Sequence, residues 1–258
     1  MILKNKLILR YINVDQLSLI ISAIIMNRKL SLKIRKAHRY LGIFLGVQFL
    51  FWTISGLYFS WTNLDEIHGD HYKNLEMKPL AFDNLISPSL INFSDPIRSI
   101  EIRDINKKPF YLVNKKLLFS ARTGVKKNEL TKDEALYIAN KHMKKGLDVK
   151  SIEKITEVGK HHEYRKKLLP AYVISYHSEN NLKAYVSILD AKFQSVRHKS
   201  WRWFDFLWMT HTMDYEGRDN FNTITLRAFS LLGLITVISG FTLAIVTTPK
   251  LMRLFRKN

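Results

Sequence analysis

From Tyr40 to Trp61 every side chain is uncharged, and these 22 residues, at about 1.5 Å each, reach roughly 33 Å, enough for the hydrocarbon core of a bilayer. Ala228 to Val246 is a second uncharged run of 19 residues, ending before Thr247-Thr248-Pro249. The pattern predicts two transmembrane helices, at 37–61 and 225–247. Between them the periodicity changes several times. Leu80 to Asn92 predicts a helix, with Ser87-Pro88 as a second start signal. From Ile97 the period falls to two: RSIEIRDI, PFYLV and KLLFSARTG read as half-buried strands divided by Asn-Lys-Lys turns. Thr131-Lys132-Asp133-Glu134 is a capping box opening a helix that should bury Ala135, Ile138, Ala139 and Met143. Strands return as VKSIEKITEV, PAYVISY and KAYVSILD, the last two joined through Glu179-Asn180-Asn181 as a hairpin. Trp201 to His211 then sets Trp201, Phe204, Trp208 and His211 on one face of a helix, and its indoles suit a membrane interface.

The two halves of the middle region echo each other. Ser99-Ile100-Glu101 recurs as Ser151-Ile152-Glu153, PFYLV at 109 as PAYVI at 170, and KLLFSARTG at 116 as KAYVSILDA at 183. The expected fold class is therefore an α+β membrane protein, in which two transmembrane helices flank two tandem helix-plus-antiparallel-hairpin units.

Charge orients this scheme and removes one function class. Residues 1–39 hold nine basic residues and one acid, and 248–258 add four basic residues with no acid. By the positive-inside rule both ends are cytoplasmic and residues 62–224 extracytoplasmic. The net charge of +19 is thus concentrated beside the membrane segments, while 62–200 carries 25 basic and 17 acidic residues without a run. Membrane lipid is the expected partner and nucleic acid is not. The absence of cysteine excludes disulfides, iron–sulfur clusters and thiolate sites. The expected divisions are a basic segment at 1–36, the first helix at 37–61, an outer domain at 62–200, the tryptophan-rich helix and loop at 201–224, the second helix at 225–247 and a basic tail at 248–258. Leu17 to Met26 is too short to span a bilayer, so 1–25 is expected to be poorly ordered or an upstream mis-start, with an interfacial helix as the alternative.

Candidate chemistry lies mainly in histidines and acids. Glu66, His68, Asp70 and His71 follow the first long helix, and imidazole with carboxylate suits iron, zinc, manganese or copper. A solvated loop touching headgroups is the plainer alternative. His211 leaves the tryptophan helix at the same expected level, so it is expected within one side-chain length of the 65–71 loop, completing a ligand site or a structural clasp. His161 and His162 read as exposed loop residues. Gly42-x-x-x-Gly46 and Gly240-x-x-x-Ala244 should let the two long helices approach closely, with Gln48, Thr53 and Thr236 turned inward. No nucleophile elbow, P-loop, HExxH or glycine fingerprint occurs, so hydrolase, kinase and nucleotide-binding readings lack support.

Basic residues leading into His38-Arg39-Tyr40-Leu41-Gly42, an Ile-Ser-Gly near the end of the first helix, LTKDEAL, PAYVI with YVSILDA, THTMDY and a closing Ser-Gly helix together resemble the PepSY-associated transmembrane family, from about Lys33 to Val246. Two departures stand out: the family's D-x-x-T-G-x hairpin ending appears as Ala121-Arg122-Thr123-Gly124 and Asp190-Ala191-Lys192-Phe193, and two membrane helices are present where larger relatives carry four. The resemblance implies PepSY-like outer units in a bacterial cytoplasmic (inner) membrane. Some larger relatives look like haem-bearing reductases of ferric siderophores. It also implies His38 as an axial ligand of haem b near the cytoplasmic face, against the plainer reading of a snorkelling interfacial histidine. About 35 Å of helix separates His38 from Trp61, so His38 cannot share a haem with His68, His71 or His211. A homodimer or a partner membrane protein would supply the second ligand. Two functions follow as expectations: a haem- or metal-linked redox component of iron acquisition acting with a partner, or a membrane-anchored module that binds a peptide, peptidase or envelope component without cofactor.

Overall fold

The computed structural model describes residues 28–78, 80–93 and 95–248, so the expectation for 1–25 lies outside the described residues. The chain divides into two compact units, one built from the described parts of 1–54 and 221–258 and the other from 55–220.

The first unit is a helix pair. Helix α1 spans Arg28–Trp61, continuing beyond this unit; its basic first turns hold no proline or glycine, and the uncharged, proline-free run from Tyr40 to Trp61 continues them. Three short elements follow it in the other unit: α2 (Leu64–Ile67) and single 3₁₀ turns at Asp70–Tyr72 and Pro88–Leu90. The partner of α1 is a long helix, Ile224–Thr247, opened by Thr223, whose side chain accepts from the Leu226 N–H. His38 meets Ser239 while Phe49 meets Gly233, so the two helices run antiparallel. Leu45, Gln48 and Thr236 are buried in the seam. The close approach does not use Gly42 or Gly46, since a methyl group at either would meet nothing within 4 Å. It uses Gly233 and Gly240 instead, which receive the Phe49 and His38 rings. Thr53 is exposed, not inward, and satisfies its hydroxyl on the Phe49 carbonyl one turn earlier. Outside the seam, Ile43, Val47, Leu50, Leu234, Ile238 and Phe241 are exposed. Two helices, over Leu32–Trp61 and Ile224–Ala244, are long and apolar enough to cross a membrane.

The second unit is α+β with two antiparallel sheets. Strands β1 (Ile100–Ile105), β2 (Lys108–Val113), β3 (Leu117–Ser120) and β4 (Lys126–Lys127) form a meander in chain order. Its first two turns, Asn106-Lys107 and Asn114-Lys115, place both central residues at positive φ, the geometry that matches strand twist in a two-residue hairpin. Helix α3 (Lys132–His142) follows, with its capping box formed at both ends: Glu134 N–H donates to Thr131 Oγ1, and Thr131 N–H donates to Glu134 Oε2. Ala135, Ile138, Ala139 and Met143 are buried as its spacing requires. Strands β5 (Val149–Ile155), β6 (Ala171–Tyr176), β7 (Lys183–Ser187) and β8 (Phe193–Arg197) make the second meander. Helix α4 (Lys199–Thr212) comes next, and the long helix of the first unit is α5 in chain order.

The sequence echo maps strand for strand. Phe110 pairs with Ser120 as Ala171 pairs with Ser187. Ala121 N–H donates to Pro109 O and Ile188 N–H to Pro170 O, while Ser120 and Ser187 N–H close onto Val125 O and Lys192 O. Each repeat is a four-stranded meander, longer than the expected hairpin: β4 has only two residues, and β8, as long as β7, breaks the apolar alternation with Gln194-Ser195. The helix expected at 80–92 is absent. This stretch is irregular apart from the Pro88–Leu90 turn, with Ser87 extended before the proline and Asn84 at positive φ. Leu85, Ile86, Ile91 and Phe93 pack on Tyr111, Val113 and Phe119 of the first sheet, and Tyr111 Oη donates to Ile86 O. A separate core joins the two sheets through α3, combining Ile105, Leu112 and Leu118 with Ile138, Ile174 and Val186.

Candidate functional site

Within the helix pair, His38 is held by a relay whose direction can be assigned. Ser239 Oγ donates to Thr236 O (2.8 Å), so at 2.7 Å it accepts from His38 Nδ1–H. This polarity places a proton on Nδ1 and leaves Nε2 outside the relay. Gly240 lies against the ring: a β-carbon there would approach His38 Cε1 to 3.2 Å. His38 is thus fixed by a hydroxyl and by a missing side chain, both on the facing helix.

In the second unit, His211 reaches the last turns of α1. Its Nδ1 is 2.7 Å from Ser55 Oγ, and Ser55 is fully buried. Phe59 packs on Phe204, Trp208 and His211, with ring centroids at 4.9, 5.7 and 5.6 Å. The face Phe204, Trp208 and His211 is the one expected from the helical spacing. Burial lowers the His211 pKa below the ordinary histidine value, so the ring is neutral at neutral pH.

The acidic loop is laid out differently from a ligand set. Asp65 and Glu66 form the first turn of α2, capped by Asn63, and His68 is its C-cap. Asp65, Glu66, His68 and His71 are exposed. Asp70 pairs with Lys73 at 2.7 Å. His71 turns toward Tyr72 and meets the edge of His198 at 5.2 Å. Among the described residues no three His, Asp or Glu side chains are grouped to hold a metal ion, so Glu66, His68, Asp70 and His71 are not assembled into one coordination shell.

His198 was not visible as a candidate. It is buried, its Nε2 lies 3.1 Å from Ile67 O, and burial lowers its pKa. It ties the start of α4 to the end of α2, and only its position directly before the tryptophan helix hinted at this. His162 is half-buried, not exposed, with Nδ1 accepting from Tyr164 N–H, whereas His161 is exposed as expected.

The sequence also hid an ionic network in what reads as a solvated charge run. Asp205 on α4 is buried and receives Arg165 (Nη2 to Oδ1, 2.6 Å) and Arg218. Glu163 accepts from Arg202 Nε at 2.6 Å and from Tyr185 Oη at 2.5 Å. Burial pushes the Glu163 pKa up, but the hydrogen bonds from Arg202 and Tyr185 and the nearby cations outweigh it and hold it below the usual value. No family model, curated protein or solved structure matches this chain.

Proposed function

We propose that the protein is a two-span membrane protein of the PepSY-associated type, in which His38 offers an imidazole lone pair to haem iron in partnership with a second copy or another membrane protein. The supporting observation is the His38–Ser239–Thr236 relay, which fixes the ring through Nδ1 and leaves Nε2 outside that bond, the arrangement expected of an axial ligand. His38 is the sole histidine of its unit, so the second axial ligand is supplied from outside this chain. Haem bound there would supply one-electron chemistry, and its electrons would come from a partner, because the sequence carries no flavin or nicotinamide motif. The membrane reading draws on the two apolar helices with exposed apolar faces and on the basic flanks, which favour cytoplasmic ends and an extracytoplasmic module over 62–224.

The test is an absorption spectrum of the detergent-purified protein after haem-replete expression. A b-type Soret band that is lost in His38→Ala and kept in His211→Ala is the expected result. Colourless protein would remove the haem reading. The second reading, a membrane-anchored binding module without cofactor, is favoured by the outer histidines: His198 and His211 are engaged in packing, and Glu66, His68, Asp70 and His71 are not gathered.

A further inference from the structure

Within the ionic network lies a cleft of about 430 Å³ whose lining includes Trp201, Phe204 and Asp205 of α4, Lys167 and Arg197, together with Glu163 and Asp219. Its charges do not balance. Arg202 takes Glu163, Arg165 and Arg218 share Asp205, and Lys166 takes Asp219. Lys167 and Arg197 are left over. Among the described residues neither has a carboxylate at ion-pair distance. Lys167 Nζ donates to Gln194 O at 2.9 Å, and Arg197 donates from Nε to Glu163 O and from Nη1 to Val196 O while its guanidinium stacks 3.9 Å over the Trp201 ring. Backbone carbonyls satisfy hydrogen bonds but do not neutralise charge. Two cations thus lie half-buried in one cleft with no carboxylate at ion-pair distance, Glu163 and Asp205 acting on Arg197 only at longer range, an arrangement that costs free energy unless something completes it. A separate observation points the same way: Nε–H of Arg165, which lines the cleft, is buried without a partner among the described residues.

We propose that this cleft binds a phosphate oxyanion, held by Lys167 and Arg197, with Trp201 and Phe204 forming the wall for an apolar substituent. Two cations without an ion-paired carboxylate match a phosphate monoester, which carries close to two negative charges and three acceptor oxygens, better than a carboxylate with one charge. Burial, together with Arg197 and then Lys73 and Lys192, brings the Lys167 pKa down to about 8, which is consistent with a cation in an anion-poor setting. The site is independent of His38 and of the haem proposal.

The ligand chemistry has two sources, a soluble phosphate and the headgroup of a lipid such as phosphatidic acid. Full-length protein is titrated with inorganic phosphate at constant ionic strength, reading tryptophan fluorescence, and in parallel placed in phosphatidylcholine nanodiscs with and without phosphatidic acid. A saturable change with inorganic phosphate identifies the soluble source. A change confined to the phosphatidic acid nanodiscs identifies the lipid source. In either arm Lys167→Met should weaken the response about tenfold or more, the loss of one charge-assisted contact, while Lys150→Ala on β5 should not. Arg197→Lys, which keeps the charge and loses the planar fork, should also weaken it, and serves if Lys167→Met fails to fold. No response in either arm, or a response as strong as the parent's in both cleft variants, overturns the proposal.

Discussion

Replacing Asp205 by asparagine is the sharpest perturbation of the outer unit. The carboxylate is buried at 6% exposure, and two guanidiniums, with side chains exposed by 11% and 17%, depend on it. Asparagine keeps the shape and one acceptor oxygen but leaves both cations facing each other without compensation. Breaking a buried ion pair from one side costs about 3–5 kcal/mol, and the partial exposure of the arginines argues for the lower end, about 3 kcal/mol. For a unit of this size each kcal/mol lowers Tm by roughly 2–4 °C, so Asp205→Asn should melt roughly 6–12 °C lower. Thermal unfolding of the detergent-solubilised full chain, followed by tryptophan fluorescence, reads α4 directly, since Trp201, Trp203 and Trp208 sit on it. Combining Asp205→Leu with Arg165→Met and Arg218→Met should recover most of the loss, because charge and counter-charges leave together. A melting point within about 2 °C of the parent for Asp205→Asn alone would refute the argument that this carboxylate holds the network together.

Other outcomes follow from single contacts. Gly240→Leu should loosen the helix pair, because even its first carbon would meet the His38 ring at 3.2 Å; a thermal midpoint of the detergent-solubilised variant equal to the parent's would contradict this. Gly69→Ala should lower stability by about 1–3 kcal/mol, since φ there is +78° and the new methyl would lie 3.0 Å from Val196 Cγ1; a shift of the unfolding midpoint below about 0.5 kcal/mol would contradict it. Lys167, with a native pKa of about 8 against 10.5, binds its proton more weakly when folded. Between those values the unfolded chain holds more protons, so the parent should gain stability relative to Lys167→Met as pH rises from 8 toward 10. A parent that loses ground over that interval would show the opposite sign.

The elements legible in the sequence were those with a long or self-consistent signal. Two uncharged runs gave the long helices, and Thr131 with Glu134 marked the start of α3 to the residue. The echo of PFYLV in PAYVI marked the repeat, down to matching bonds at Pro109 and Pro170. Leu80 to Asn92 misled because its apolar spacing serves packing on the first sheet, where Asn84 and Pro88 force an irregular path. Gly42 and Gly46 had the right spacing but the wrong face, which one sequence cannot reveal without the rotation of the helix about its axis. The surroundings of the histidines were only partly legible: His38 and His211 bear on neighbouring helices, but the hydroxyls that hold them, Ser239 and Ser55, lie 201 and 156 residues away in the chain. Lys167 and Arg197 stayed hidden because being left without a partner is a property of three-dimensional charge balance, not of spacing.

The grip of Ser55 and Phe59 on His211, Phe204 and Trp208 bears on the order in which the chain is completed during synthesis. The partners are 156 residues apart at the hydrogen bond, whereas both sheets are meanders of consecutive strands that pair as soon as they appear. The end of α1 must therefore wait, its aromatic side chains uncovered, until both meanders and α4 have been made. At 5–20 residues per second that delay is roughly 8–30 s, an interval in which Ser55 and Phe59 are open to a protease or a chaperone. Limited proteolysis of arrested nascent chains should find the end of α1 accessible when synthesis stops before Lys199 and shielded once the chain up to Met213 has emerged from the ribosome.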